Sequence, residues 1–220
     1  MAVYLYAICH TNAAVPDARG LDGAQLRMVR ADRLAALVCD CTATSRATNE
    51  EELWEHERVV EALMEFHDLL PARFGSVLAS DEAVAELLSA RAQDLRATLD
   101  YIAGAAELGV RIAHPPVQSP GASRGSGHEY FAERLRVRER VGSLVTRVEH
   151  SLSPLARASR IRIPTSADAA VAGAFLVARE RVAEFAHRVD ALDLEIAGAR
   201  VFCTGPWPVY SFSDVGAVTR

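Results

Sequence analysis

The order of elements in the second half of the chain limits its fold more than any other feature. Val110 and Ile112 mark a strand around Glu107–Ala113, followed by a Pro-, Gly- and Ser-rich connector, Pro115–Gly127. A long helix is predicted from about His128 to about Ala156, with Leu144, Val148, Leu152 and Leu155 along one face. Arg160-Ile161-Arg162-Ile163 alternates as a short strand up to Pro164, and Ala169–Val177 is a continuous apolar run. Arg179–Asp190 reads as a second helix and Ala199–Cys203 as a last strand. The order β-α-β-β-α-β is the ferredoxin-like arrangement, in which the first and third strands are central. The apolar third strand suits a central place, and the outward Arg160 and Arg162 of the second suit an edge, where charge blocks stray pairing.

The first half opens with a strand in which Val3, Leu5, Ala7 and Cys9 alternate with Tyr4, Tyr6, Ile8 and His10. Asp22-Gly23 marks a turn before two short strands, Leu26–Arg30 and Leu34–Cys41. Thr48 with Glu51, or Asn49 with Glu52, then supplies the cap of a helix. Leu53, Val60 and Leu63 form its apolar seam, His56 and His67 fall on the same seam, and Pro71 ends it. Arg73–Val77 follows as an extended segment, and Ser80-Asp81-Glu82 caps a further helical stretch running to Gly104. The expected fold is α+β with two small domains. An N-terminal α+β domain covers 1–104, a ferredoxin-like domain with a long first helix covers 105–212, and 213–220 is a tail. A chain of 220 residues, half of them hydrophobic, can bury two such cores.

All 24 basic residues are Arg, with no Lys. That absence excludes a Walker-type phosphate loop, a lysine Schiff base and a pyridoxal-phosphate anchor. A formal charge of −5 argues against a nucleic-acid footprint. The run Glu133–Arg140 interleaves its acids with arginines and carries no stacking aromatics, so it reads as a solvated or protein-facing helix. The four cysteines, Cys9, Cys39, Cys41 and Cys203, are scattered and read as reduced core thiols. No stretch is apolar for long enough to span a bilayer, and Met1–Tyr6 reads as a strand instead of a secretion signal. A cytoplasmic protein is expected.

Gly121-Ala122-Ser123-Arg124-Gly125 has the letters of a nucleophile elbow, but that chemistry needs a strand feeding a strained turn. Ser123 instead follows Gln118-Ser119-Pro120, in the setting of a connector. His56-Glu57 and His128-Glu129 each begin like a zinc motif, yet Val60 and Ala132 stand where the second histidine belongs. His56 and His67 lie about three helical turns apart, about 16 Å, too far to share a metal. No catalytic residue, metal or cofactor is expected.

Four segments, taken in order, carry a resemblance. Trp54-Glu55-His56-Glu57-Arg58-Val59-Val60 leads to Leu69-Leu70-Pro71-Ala72-Arg73-Phe74-Gly75-Ser76-Val77. Glu129-Tyr130-Phe131-Ala132-Glu133-Arg134 opens the long helix, and Ala174-Phe175-Leu176-Val177 adds a weaker match. The ending Thr204-Gly205-Pro206-Trp207-Pro208-Val209-Tyr210-Ser211-Phe212 departs from the expected signature only at Val209, which replaces a proline. Together they resemble the GvpL/GvpF family of gas vesicle proteins, covering its two members alike. The resemblance implies a non-enzymatic accessory protein of gas vesicle assembly, located in the cytoplasm or at the vesicle. It implies as partners the hydrophobic shell protein and other gas vesicle accessory proteins, with no nucleic acid and no lipid membrane.

Pro206, Trp207, Pro208, Tyr210 and Phe212 are the candidate partner-binding or domain-closing residues, together with Arg73 and His56. Pro206 and Pro208 stiffen their segment, so Trp207 is presented either to a partner or to a gap between domains. Arg73 is expected to pair with Glu57 as a partly buried ion pair. Two other classes stay open. One is a ferredoxin-like small-molecule module or dimeric-barrel enzyme, and the other a serine hydrolase acting through Ser123.

Overall fold

A computed structural model describes residues 1–42, 50–113, 127–163 and 170–213, with backbone alone for 127–134 and 137. The cap residues Thr48 and Asn49, the connector with Ser123, Pro164 and the tail beyond Ser213 lie outside the described residues. The chain divides into two compact units, one of Met1–Ala106 with Trp207–Arg220 and one of Glu107–Pro206. The first unit thus takes in the closing segment, where the sequence reading continued the second domain to residue 212.

The first unit holds strands β1 (Val3–His10), β2 (Arg27–Ala31), β3 (Leu34–Asp40), β4 (Leu69–Pro71) and β5 (Val77–Leu78). They form a sheet of order β2-β3-β1-β4, with β5 also on β1. Helices α1 (Glu50–Met64), α2 (Asp81–Ala90) and α3 (Ala92–Ile102) pack on it. Val3 through Cys9 are each at most 2% exposed, so β1 is the buried centre of the sheet.

The simple alternation expected for β1 fails at one place. Pairing with β3 slips between Leu5 and Ala7, and an extra residue moves every later side chain to the other face. Ala7 and Cys9 therefore join Tyr4 and Tyr6 in one cluster with Val59, Val60 and Leu63 of α1. Period-2 reading had grouped them with Val3 and Leu5.

Helix α1 ends at Met64, earlier than expected, so His67 lies beyond it and accepts a hydrogen bond from Ala14 N at 3.3 Å. Pro71 closes a short strand instead of a helix, and β4 is the last strand on its side, where a missing N–H costs no ladder bond. Ser80 caps α2 as anticipated, its Oγ accepting from Ala83 N at 3.4 Å. The stretch to Gly104 is two helices, broken at Arg91, whose φ of −115° and ψ of 15° leave the helical region. Arg27 joins β2 to α2 through both carboxylate oxygens of Asp81, at 2.6 and 3.2 Å.

The second unit contains most of β6 (Ala105–Ala113), α4 (Gly127–Leu152), β7 (Ala158–Arg162), β8 (Val171–Ala178), α5 (Val182–Glu195) and β9 (Arg200–Trp207) up to Pro206. Its sheet order is β7-β8-β6-β9, with β6 and β8 inside. Leu108, Val110 and Ile112 of β6 alternate into a core with Val141, Val145, Val148 and Leu152 of α4. Phe175 and Phe185 meet there with ring centres 5.3 Å apart. The long helix stops at Leu152, before a short 3-10 turn over Ser153–Leu155 containing Pro154. Strand β9 runs past Cys203 to Trp207, through a cis Gly205-Pro206 bond.

Candidate functional site

The described residues converge on one buried polar cluster, inside the first unit. Tyr4 and Tyr6 project from β1 on the side of α1, and His56 of α1 meets them, 0% exposed. The His56 ring stacks on Tyr6 at 5.4 Å and 20°, and presents an edge-on contact to Phe74 at 5.9 Å. Tyr4 Oη lies 3.0 Å from His56 Nδ1, and Tyr210 Oη lies 3.2 Å from Nε2. Tyr210 also donates to Glu57 Oε1 at 2.9 Å, and Gly75 N donates to Tyr4 Oη at 2.9 Å.

Counting protons fixes a direction for this chain of contacts. Tyr210 has one hydroxyl proton, given to Glu57, so the imidazole nitrogen facing it must carry a hydrogen. Nδ1 is then the bare nitrogen and accepts from Tyr4, which is itself receiving from Gly75. The relay runs from the Gly75 amide through Tyr4, His56 and Tyr210 to the Glu57 carboxylate. Burial holds the His56 imidazole down at about 4, against an opposing pull from the Ala72 backbone. Burial pushes the Glu57 carboxyl up, an effect that the Tyr210 hydrogen bond opposes. Tyr210 itself is raised, first by burial and then by the Glu57 charge. A neutral ring with both nitrogens occupied and no exposed surface joins β1, α1 and the closing segment.

Tyr6 anchors the floor. Its Oη accepts from Leu21 N at 2.8 Å, and Gly20 stands so close that an added Cβ would sit 2.7 Å from that oxygen. The φ of Gly20 is −79°, open to any residue, so contact alone demands glycine here. Gly20→Ala should therefore lower stability by about 1–3 kcal/mol, the usual cost of forcing atoms into a filled core. A denaturant titration checks this, and an unchanged midpoint would show that the loop moves aside.

The predicted residues fall into two groups. Tyr210 sits in the relay, Pro208 is buried, and Val209 and Phe212 are 3% and 6% exposed. Ser213 Oγ adds a bond to Pro71 O at 3.4 Å, so the segment is strapped onto the first unit. Trp207 remains 43% exposed, and Pro206 and Arg73 are also exposed. The expected Arg73–Glu57 ion pair does not form. Glu57 takes the Tyr210 hydroxyl instead, while Arg73 contributes its carbonyl, accepting from Ser76 N at 3.1 Å and Ser76 Oγ at 2.7 Å. Tyr4 and Tyr6 were missed as site residues. Their signal was present: two tyrosines two apart on one strand, in a chain only 6% aromatic.

Cys9, Cys39 and Cys41 are buried free thiols, and burial pushes Cys9 up to about 12. Among the described residues no group of three or more His, Cys, Asp or Glu is placed to hold a metal. No helix among them is long and apolar enough to cross a membrane.

A mixed helix-and-sheet protein with an internal His–Tyr–Glu joint is thereby defined. Its sequence matches the family described as gas vesicle synthesis protein GvpL/GvpF over residues 2–214, and the chain belongs to that family. It is 28% identical to gas vesicle protein L of Streptomyces sp. (strain CB03234), covering 96% of this chain and 92% of that one. It is 26% identical to gas vesicle protein F1 of Halobacterium salinarum, covering 97% and 93%. The crystal structure of GvpF from Anabaena sp. PCC7120 has the same fold, with a TM-score of 0.83 at 24% identity, covering 98% of this chain and 97% of that one.

Proposed function

We propose that this chain is a non-enzymatic assembly protein that binds the hydrophobic shell subunit and other accessory proteins during gas vesicle formation, in the cytoplasm or at the vesicle. Membership in the GvpL/GvpF family supports the process. The observation that carries the binding role is Trp207, which stays 43% exposed while the residues after it are strapped down. Tyr210, Phe212 and His56 serve closure of the first unit in this reading, and Pro206, Trp207 and Arg73 serve the partner. An aromatic held by a fixed backbone binds with little ordering cost, and Trp is the residue most enriched in binding hot spots. We also read the second unit as a ferredoxin-like domain, on the support of its sheet order.

Trp207→Ala should leave the melt nearly unchanged and weaken capture of purified shell protein by roughly tenfold or more, as loss of a hot spot does. Failure of the unaltered protein to capture shell protein or any accessory partner would overturn the assembly role. A large fall in melting temperature would make Trp207 a core residue.

A further inference from the structure

One face of α1 has no role in the joint just described. Glu50, Trp54, Arg58 and Glu61 are all exposed, Trp54 at 67%, and recur at the spacing that places residues on one side of a helix. They line an open groove with Glu51, Glu55 and Glu57, the last of which also accepts from Tyr210. A tryptophan this exposed, set among carboxylates, is complementary to a surface of small residues and positive charge.

The chain itself carries that surface, on α4. Its outward face shows Arg136, Glu139, Arg140, Ser143 and Arg147, and a second groove there is lined by Glu139, Gly142, Ser143, Thr146, Arg147 and His150. A Cβ built on Gly142 would meet nothing within 4 Å, so this stretch is open. The two faces match when run antiparallel. With Trp54 set over Ser143, between Gly142 and Thr146, four residues one way bring Arg58 to Glu139 and four the other way bring Glu50 to Arg147. Seven residues along, Glu61 meets Arg136. These three pairs are each of opposite sign, including the single Arg of the α1 stripe and the single Glu of the α4 stripe. Arg147 stands 3.7 Å from Glu195, whose closer partner is Arg188 at 2.7 Å, so it can turn outward at small cost.

We propose that the Trp54 face of α1 docks antiparallel on the Gly142–Arg147 face of α4 in a second copy of this chain. The contact joins two different surfaces, so it is heterologous and can continue beyond two copies unless it closes on itself. It stands apart from shell binding, which was placed at Trp207.

Sedimentation equilibrium of the full chain tests it. Species heavier than one chain are expected at low salt, and high salt should weaken them. Glu50→Arg with Glu61→Arg, or Arg136→Glu with Arg147→Glu, should each weaken self-association by roughly tenfold or more, as close interfacial charges do. Mixing the two variants should restore it, because each reversed face then meets a complementary one, and restoration also shows that both have folded. In a Trp207→Phe background, Trp54 emission should shift to the blue on association. A wild-type chain that stays monomeric at every concentration would overturn the proposal. So would charge-reversed variants that associate normally, or a mixture that fails to recover.

Discussion

His56→Ala is expected to destabilise the first unit by about 3–5 kcal/mol, as large-to-small core substitutions combined with orphaned polar groups do. The ring fills space between Tyr6 and Phe74, with centroids 5.4 and 5.9 Å away, and no solvent reaches it. Its loss leaves a cavity and removes the partner of Tyr4 Oη at 3.0 Å. Tyr210→Phe separates the terms, since it keeps the ring and deletes only the hydroxyl shared with His56 and Glu57. That variant should cost about 1–3 kcal/mol, the penalty of leaving buried groups unsatisfied. Chemical denaturation followed by circular dichroism measures both. Equal losses would mean that the hydroxyl, not the packing, carries the joint.

Acid should weaken the protein well before its ordinary carboxylates titrate. The unfolded imidazole takes a proton near 6.5, whereas burial holds the folded His56 at about 4. Between these values the unfolded state binds more protons, so stability falls as pH drops from about 6.5 to about 4. The full effect is on the order of 3 kcal/mol, from 1.36 kcal/mol per unit of difference. Glu57 acts in the opposite sense, since burial raises its carboxyl and favours the folded state as that group takes its proton. His56→Phe removes the imidazole and keeps a ring. Its stability should therefore show no His-linked fall over this range, and an unchanged pH profile would assign the acid sensitivity to other groups.

Much of the scaffold was legible because hydrophobic periodicity and capping are local signals. Ser80 capped its helix as read, and Leu108, Val110 and Ile112 alternate into the second core. Failures came where backbone detail outside the pattern decided the outcome. The slip at Tyr6 moved Ala7 and Cys9 to the other face of β1, and nothing in the letters marks it. The break at Arg91 follows no Gly or Pro. At the site, His56 and Tyr210 were singled out, but as partner-binding or closing residues. Their meeting spans 154 positions, a separation at which sequence pattern carries no pairing information. The Arg73–Glu57 pairing failed for the same reason: a tyrosine from the far end of the chain had already taken the carboxylate.

Because the first unit is made from two stretches with the second unit between them, the ribosome cannot deliver it in one piece. Residues 1–106 are made before 107–206, while Tyr210 and the buried Val209 and Phe212 come only after that stretch. At roughly 5–20 residues per second, that interval is on the order of five to twenty seconds. Through it, His56 and Glu57 are without their Tyr210 partner, while the second unit is contiguous in sequence. A message cut short before Tyr210 yields a chain in which His56 Nε2 and the Glu57 carboxylate lack that hydroxyl.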